Sequence, residues 1–271
     1  MIKVHQIQID FNVTETIKRF VYVYLIEAEN CYLIDSGVYG CESQIIEYME
    51  SIGRKASEIK GIFLTHAHPD HIGSAAWFRE HTGCKVYASK GESRWIENID
   101  LQFRERPIPN FYALAGRSVH VDQVVKNGNI IEPEPDLRIE VLRTAGHSTD
   151  GMSYLIGSNL FIGDAVPIKG DIPIFIDEDE TQKTLELLGQ MSDVEMFYPA
   201  WDQSYTPEDM KTKIKEAGEL LNILKHAVMT CEDGSDNAEL TKRVCEYLHM
   251  PFLMGNPLFL RTVSCLRKGE K

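Results

Sequence analysis

The sequence contains no pair of cysteines spaced as CxxC, although six cysteines are scattered along its 271 residues. Scattered cysteines are typical of reduced thiols in a cytosol and argue against a disulfide framework. No apolar run approaches the ~18 residues that a membrane-spanning helix needs. The amino-terminal stretch MIKVHQIQIDFNVTETIKRF lacks the basic-then-apolar layout of a signal peptide. We therefore expect a cytoplasmic protein without a membrane partner.

Positive charge is also scarce, because 28 Lys and Arg residues stand against 41 Asp and Glu residues, a formal net charge of -13. Such an acidic surface repels phosphate backbones, so no nucleic-acid partner is expected. Hydrophobic residues make up 43% of the chain, which is enough for a sizeable core and excludes a disordered protein. The length fits one large domain with a covered sheet.

Apolar runs rich in β-branched and aromatic residues alternate with segments of helical spacing, a rhythm typical of α/β proteins. Predicted strands cover residues 2–10, 20–27, 31–37, 59–65, 85–89, 137–144, 151–157, 159–165 and 194–200. Predicted helices cover residues 41–52, 73–81, 180–190, 206–228 and 236–248. Prolines interrupt the segment 91–130, which is predicted to be irregular, and the run 258–266 is predicted to be strand-like.

The stretch GIFLTHAHPDHIGS, residues 61–74, concentrates three histidines and an aspartate within six residues. His66 and His68 lie two apart just beyond a predicted strand, so both imidazoles can point to one place. Asp70 and His71 follow on the turn into the next helix. Four side chains that can bind metal therefore crowd the carboxyl end of a strand, where open α/β sheets place their sites.

Two further segments each place one such side chain at the end of a predicted strand. TAGHSTDG contains His147 among small residues that allow close backbone approach, and FIGDAV contains Asp164 after an apolar run. An unpaired buried carboxylate at that position would be costly. We therefore interpret both residues as further candidates for the same metal site.

The motif HAHPDH, residues 66–71, resembles the HxHxDH signature of the metallo-β-lactamase superfamily. His147 and Asp164 stand where that family has its third histidine and its bridging aspartate. The resemblance extends from about Asp35 to residue 199 and is closest to the branch of glyoxalase II-like thioesterases and lactonases. It implies an α/β fold, namely a four-layer αββα sandwich with metals in a cleft at one edge.

That resemblance implies a site for two divalent metal ions, with zinc favoured and iron or manganese as alternatives. Asp35 would orient this site, although Asp-Ser-Gly is also a common turn sequence. By the resemblance, the first ion is held by His66, His68 and His147, the second by Asp70 and His71, and Asp164 bridges both.

The sequence departs from the family pattern in YPAWDQS, where Trp201 occupies the place of the usual last histidine. Asp202 follows and is predicted to supply an oxygen ligand to the second metal instead, with a water ligand or a half-empty site as the alternative. A carboxylate in place of an imidazole favours manganese or iron over zinc. Trp201 itself is interpreted as pocket wall or core.

These features predict a hydrolase in which a metal-bound hydroxide cleaves an ester, thioester or lactone of a small-molecule substrate. Asp70 is the candidate catalytic residue, which would orient the nucleophile and carry a proton. In the irregular segment, Phe103, Phe111 and Tyr112 are predicted to line the cleft, and Arg104 or Arg106 to bind a substrate carboxylate.

Two alternatives remain open: an iron-dependent redox protein of the same fold, and a non-catalytic metal- or ligand-binding module. The chain is predicted to divide into a catalytic domain, residues 1–205, and a helical accessory segment, residues 206–271, packed on that domain. The accessory helices would cap the cleft or form the face of a homodimer.

Overall fold

The structure, a computed structural model, describes residues 2–15 and 17–268. The amino-terminal half forms a six-stranded sheet whose strands follow their order in the chain. The first three strands pair antiparallel, whereas the third to sixth run parallel because helical crossovers connect them. The strands are β1 (Lys3–Asn12), β2 (Lys18–Glu27), β3 (Cys31–Ile34), β4 (Ile59–Phe63), β5 (Lys85–Ser89) and β6 (Gln123–Val125).

A second sheet of five strands follows. Its strands are β7 (Ile130–Glu134), β8 (Leu137–Arg143), β9 (Met152–Ile156), β10 (Asn159–Gly163) and β11 (Met196–Pro199). They lie side by side in the order β11-β10-β9-β8-β7. Neighbouring strands pair antiparallel, except that β10 and β11 run parallel because a helix connects them.

The two sheets pack face to face, and helices cover their outer faces. Aromatic and β-branched residues of both sheets share one buried cluster, in which Phe63 stacks on Tyr87 at 4.2 Å and meets Tyr154 of the other sheet at 5.4 Å. Separate apolar clusters lie under the helices on either side. The layer order is therefore helix, sheet, sheet, helix, which confirms the predicted αββα sandwich.

The helices on these outer faces come from both halves of the chain, and the last three form the carboxy-terminal segment. They are α1 (Glu42–Ser51), α2 (Pro69–Ile72), α3 (Ala75–Thr82), α4 (Lys90–Ile96), α5 (Ile99–Glu105), α6 (Phe111–Ala115), α7 (Glu178–Gln190), α8 (Pro207–Cys231), α9 (Asn237–Tyr247) and α10 (Pro257–Lys268). Within the described ranges, no helix has the length and hydropathy needed to cross a membrane.

The run 258–266, predicted to be a strand, forms most of α10, so this prediction was wrong. Asn256 caps the helix by accepting two backbone hydrogen bonds, at 2.9 and 3.2 Å, and Pro257 follows at the first position. A short apolar run has no decisive period, and here packing selected the helix. The buried residues at helical spacing are Phe259, Val263 and Leu266.

The segment 91–130, predicted to be irregular, contains three short helices and strand β6, so this prediction was also wrong. Asn98 caps α5 through a 2.9 Å hydrogen bond from Leu101 N–H to its side-chain oxygen. The two prolines follow α5 and do not interrupt it. The other predicted strands and helices are confirmed to within three residues at each end.

The carboxy-terminal helices pack on one another and on the loop that follows β10. Phe175 of that loop is fully buried among residues of α8, α9 and α10. The predicted boundary between residues 205 and 206 falls just before α8. The accessory segment thus shares a hydrophobic core with a loop that also reaches the site described next.

Candidate metal centre

The residues of the candidate centre come from both sheets and meet at one edge of the sandwich. His66 and His68 follow β4 of the first sheet, whereas His147 follows β8 and Asp164 follows β10 of the second. The two sheets are joined here by a 2.9 Å hydrogen bond from Met152 N–H to the Thr65 carbonyl. Residues far apart in the sequence are therefore brought to one place by the packing of the sheets.

Two glycines allow this approach. Gly163 lies at φ +51, and a Cβ there would lie 2.7 Å from Thr65 Oγ1. Gly146 lies at φ +121, and a Cβ there would collide with Thr181. A side chain at either position would move Asp164 or His147 away from the centre.

Four ligand-type atoms converge in the first part of the centre, all within 4.8 Å of one another. His68 Nδ1 lies 2.8 Å from His66 Nε2 and 2.9 Å from His147 Nε2. Asp164 Oδ2 lies 3.3 Å from His147 Nε2 and 3.8 Å from His66 Nε2. Three ring nitrogens and one carboxylate oxygen thus point to a common centre.

The opposite ring nitrogens of the three histidines are held by the protein. His66 Nδ1 lies 3.0 Å from Thr65 Oγ1, and His147 Nδ1 donates to the Ile174 carbonyl at 3.0 Å. His68 Nε2 contacts the guanidinium of Arg106. The contacts of His66 and His147 are of the kind that orient imidazoles for metal binding, whereas a guanidinium has only donors and does not supply the acceptor that such a ligand needs.

The second part of the centre is formed by Asp70 and His71 on α2. Asp35 Oδ2 accepts a 2.7 Å hydrogen bond from His71 Nδ1, and the same carboxylate accepts from Thr65 at 2.7 and 2.8 Å. His71 Nε2 consequently faces Asp164 Oδ1 at 3.4 Å and Asp70 Oδ2 at 3.5 Å. Asp35 thus occupies the orienting position predicted for it.

Two buried atoms of this second part have no hydrogen-bond partner among the described residues, namely His71 Nε2 and Asp164 Oδ1. Buried polar atoms without partners are uncommon in folded proteins and call for an explanation. A cation bound between these atoms would satisfy both. Imidazoles and carboxylates together form a donor set suited to zinc, iron or manganese, so the residues present fit a divalent metal.

Burial controls the protonation of these groups. It lowers the pKa of His66 and of His68 well below the usual range, so both imidazoles are neutral near neutral pH, the state that binds a metal. Burial raises the pKa of Asp70 to about 6. Burial also has the largest effect on the pKa of Asp164 and raises it, but the charges of His71 and His147 and the contacts with His71 and Trp201 together lower that pKa below its usual value.

Asp202, predicted to be a ligand of the second metal, is not brought to the centre. Its Oδ2 accepts hydrogen bonds from Tyr205 at 2.6 Å and from Lys213 at 2.9 Å, and its Oδ1 accepts from the backbone of Gln203. Lys213 of α8 and Tyr205 thus hold the carboxylate away from the candidate ligands. We correct the prediction accordingly.

Trp201 is the residue that does reach the centre from this segment. Its ring Nε1 is buried and has no hydrogen-bond acceptor at normal distance in the described part of the chain. Burial has the largest effect on the pKa of Asp164 and raises it. The charges of two histidines lower this pKa, and the Trp201 N–H lowers it as well. An indole N–H only donates, so Trp201 cannot coordinate a metal.

The centre opens into a cavity of about 250 Å³, which is lined by His68, Asp70, His147 and Asp164 on one side. Most of the remaining lining is apolar. It comes from the β1–β2 hairpin, the loop after α5, the loop after β10 and the start of α10. Examples are Phe11, Ile17, Ile108, Val166, Ile172 and Leu258.

The aromatic residues predicted to line this cavity do not do so. Phe103, Phe111 and Tyr112 instead pack against one another with ring centroids 5.1 to 5.3 Å apart. Of the two arginines predicted to bind a substrate carboxylate, Arg106 lines the cavity and Arg104 does not. The sequence did not indicate which of these residues line the cavity, because the helical course of residues 99–105 determines which side chains face it.

Sequence reasoning also missed Thr65 and the backbone carbonyl of Ile174. Thr65 touches both Asp35 and His66, and Ile174 orients His147. Thr65 adjoins the histidine motif, and that position was the only available signal. Nothing in the sequence identifies a carbonyl 27 residues beyond His147 as its partner.

Comparison with known proteins finds relatives that match part of the chain. A hydroxyacylglutathione hydrolase of Thiobacillus denitrificans is 29% identical over 120 residues, which are 44% of this chain and 36% of the relative. A probable metallo-hydrolase of Bacillus subtilis is 29% identical over 156 residues, 55% of this chain and 66% of the relative. A probable polyketide biosynthesis zinc-dependent hydrolase of the same organism is 31% identical over 114 residues, 42% of each chain. The chain thus spans between about a third and two thirds of these relatives' lengths.

Solved structures share the fold over nearly the whole chain. A metallo-β-lactamase family protein of Thermus thermophilus superposes with a TM-score of 0.74 at 17% identity, covering 99% of this chain and 94% of the other. A β-lactamase domain protein of Burkholderia ambifaria gives 0.71 at 16% identity, covering 99% and 87%. The family profile described as the metallo-beta-lactamase superfamily matches residues 16–200. The chain therefore belongs to the metallo-β-lactamase superfamily.

Proposed function

We propose that this protein is a metal-dependent hydrolase that cleaves an ester, thioester or lactone bond of a small molecule. The observation that supports this most is the convergence of three imidazoles and the Asp164 carboxylate, where His71 Nε2 and Asp164 Oδ1 are buried and lack a hydrogen-bond partner among the described residues. This donor set lies at the wall of a largely apolar cavity of about 250 Å³. The relatives named as hydrolases agree with the reaction class.

In this proposal two divalent ions are bound, with zinc favoured and iron or manganese as alternatives. His66, His68 and His147 would hold the first ion, Asp70 and His71 the second, and Asp164 would lie between them. Bound ions of this kind lower the pKa of a water molecule and polarise a carbonyl oxygen. The chain's own contribution is to hold these ligands in fixed orientations through Thr65, Asp35 and Ile174.

Asp70 is the residue that we propose to act on the proton. It lines the cavity, and its Oδ2 lies 3.5 Å from His71 Nε2. Burial raises the pKa of Asp70 to about 6, so this carboxylate accepts a proton more readily than an exposed aspartate does. It can therefore orient a water molecule, accept a proton from that water, and then transfer this proton to the leaving group.

The test combines metal analysis with a substrate screen. We expect purified full-length protein to contain about two divalent ions and to hydrolyse generic esters, thioesters or lactones. One iron ion with redox activity would instead indicate the redox alternative, and absence of bound metal would indicate a non-catalytic module. Either result would overturn the proposal.

Matched aspartate variants test the role of Asp70. Compared at equal metal content, Asp70→Asn should lower kcat by about 10²–10⁴-fold, because the amide cannot accept the proton. Asp202→Asn should keep both metal content and activity, because Asp202 binds Tyr205 and Lys213 away from the centre. Equal losses in the two variants, at equal thermal stability, would contradict the assignment.

A further inference from the structure

Glu92 is a buried acidic residue that is neither a candidate ligand nor part of the cavity wall. Its side chain is fully buried at the third position of α4, and it is not one of the described residues that line the cavity. A buried carboxyl group is costly unless hydrogen bonds and an opposite charge compensate it. The partners of Glu92 therefore indicate what this residue does.

The two oxygens of Glu92 accept hydrogen bonds from two different loops of the metal centre. Oε2 accepts from the backbone N–H of Ala67 at 3.0 Å, and Oε1 accepts from the backbone N–H of Asp150 at 3.1 Å. Ala67 lies between the two histidines that follow β4, and Asp150 lies three residues beyond His147. One side chain thus joins the loop with two candidate ligands of the first ion to the loop with the third.

Each of these loops is also held by a second contact. Gln102 of α5 is buried and donates from its side-chain amide to the Ala67 carbonyl. The backbone N–H of Gly91 donates to Asp150 Oδ2 at 2.9 Å, so α4 and the loop of His147 bind each other reciprocally. The helices α4 and α5 therefore fix both loops.

The guanidinium of Arg106 supplies the opposite charge for Glu92. Its Nη1 lies 3.8 Å from Glu92 Oε2, which is within ion-pair distance but too far for a hydrogen bond. The guanidinium also lies over the ring of Trp95 at 4.5 Å, a contact that keeps it beside the carboxyl group. Both oxygens of Glu92 consequently remain available to the two backbone N–H groups.

The first site needs a connection of this kind because its ligands come from both loops. His68 Nδ1 lies 2.8 Å from His66 Nε2 and 2.9 Å from His147 Nε2. Nitrogen lone pairs that point to one place repel one another until an ion binds between them. Ligands must also stay within about 0.5 Å of their places for a site to remain preorganised. A contact that spans both loops meets this need.

We propose that Glu92 is a positioning residue, which sets the distance between loop 66–68 and the loop of His147 and thereby the affinity for the first ion. This inference rests on the metal site of the proposed function and not on the reaction. Glu92 acts through the backbone of Ala67 and of Asp150. Contacts that hold metal ligands in place contribute about 10–100-fold to metal affinity.

Titration of the chelator-treated full-length protein with Co²⁺, in competition with a chelator, tests this role. The visible absorption bands of bound Co²⁺ depend on the coordination geometry, so they report on the first site without any reaction. Glu92→Gln keeps the shape of the side chain but places an amide donor against one backbone N–H. We expect the first Co²⁺ to bind at least about tenfold more weakly and its bands to shift.

Asp150→Ala is the second variant, at a partly exposed position. It removes the reciprocal bond from Gly91 and the contact with Arg143, and it leaves the bond between Glu92 and the backbone in place. We expect the affinity for the first Co²⁺ to fall by about two- to tenfold, the level of one hydrogen bond. If Glu92→Gln does not fold, undiminished affinity in Asp150→Ala overturns the proposal.

Glu134→Gln is the matched control. Glu134 is also a buried glutamate that accepts from backbone N–H groups, those of Glu29 and Asn30, and none of its described partners is a candidate ligand. The variant should lose stability but bind Co²⁺ with unchanged affinity and bands. Unchanged affinity and bands in Glu92→Gln would overturn the positioning role. An equal loss of affinity in Glu134→Gln would do the same, because the effect would then follow stability alone.

Hydrolysis of generic esters is measured separately on the same preparations. Co²⁺ binding that depends on Glu92 in a protein without hydrolase activity would retain the positioning role and reject the proposed reaction. Hydrolysis with Co²⁺ binding that does not depend on Glu92 would retain the function and reject the role. Failure of the unaltered protein to bind Co²⁺ would reject both.

Discussion

At the scale of single residues, Asp35 combines an unusual backbone with a central contact. Its φ is +60, in the left-handed region, and its carboxylate binds both His71 Nδ1 and Thr65. The left-handed conformation is tolerated by Asp and Asn better than by most residues. The carboxylate leaves His71 Nε2 free to face the centre, which links a turn residue to metal binding.

Asp35→Asn tests this link, because asparagine keeps the size and tolerates the backbone but loses the charge. We expect the affinity for metal to fall by about 10–100-fold, since partners that orient a ligand contribute at this level. Competition with a chelator measures the change. Asp136→Asn is the control, because Asp136 also has a left-handed backbone, at φ +64, but is exposed elsewhere. Equal affinities in the two variants would refute the role.

Trp201 raises a second prediction at the residue scale. Its indole N–H has no lone pair to offer, so the proposed second ion would have fewer protein ligands than the first. Trp201→His should raise the affinity for a second ion by at least about tenfold, because a neutral imidazole binds metals. Trp201→Phe removes the N–H without adding a ligand and serves as the control. Identical second-ion affinity in both variants would be the contrary result.

The sequence predicted much of this site, and the reasons for its failures are physical. His66, His68, Asp70 and His71 are adjacent in the chain, so their proximity follows from local geometry. The position of Asp202 depends on Lys213, which a separate helix brings near. Contacts of that kind are decided by tertiary packing, so no local pattern reveals them.

At the scale of elements, Glu134 of β7 joins the two sheets. Its carboxylate accepts hydrogen bonds from the turn between β2 and β3, at 2.8 Å from Glu29 N–H and 2.7 Å from the Asn30 side chain, and from the Tyr32 hydroxyl on β3 at 3.0 Å. Burial raises the pKa of Glu134, but these hydrogen bonds together outweigh burial, so the pKa lies below its usual value of 4.5. The ionised form is therefore the one that the folded state stabilises.

Glu134→Gln should lower the free energy of unfolding by about 2 kcal/mol near neutral pH, since the amide places a donor against donors. Because the folded pKa lies below the unfolded one, the contribution is complete above pH 4.5 and is lost as the pH falls through the folded value. Denaturant unfolding of both proteins across this range measures it, and the difference should shrink in acid. Glu132→Gln, on the same strand but exposed, should show no such difference.

Strand and helix predictions succeeded where the hydrophobic pattern repeated many times, and they failed where the run was short and tertiary packing decided the structure. α8 was predicted well, because its 25 residues repeat a helical pattern many times. The run in α10 is short and contains β-branched residues, so its period was ambiguous, although Asn256-Pro257 was a helix-start signal that the prediction did not use.

At the scale of the whole molecule, α10 is connected to the metal centre through one loop. The Thr262 hydroxyl is fully buried, donates to the Pro173 carbonyl at 2.8 Å and accepts from Phe175 N–H at 3.2 Å. Between them, the Ile174 carbonyl accepts from His147 Nδ1 at 3.0 Å. The accessory helix therefore fixes the group that orients a candidate ligand.

Thr262→Val tests whether this connection affects metal binding, because valine has the same shape but no hydroxyl. It leaves two buried backbone groups unpaired and frees the Ile174 carbonyl to move, so we expect metal affinity to fall by about tenfold and stability by about 1–3 kcal/mol. Thr241→Val is the control: its hydroxyl is also buried in the accessory segment but binds only Asn237 of its own helix, at 2.6 Å. If the two variants retain equal metal affinity while Thr262→Val alone loses stability, then α10 supports the fold without tuning the centre.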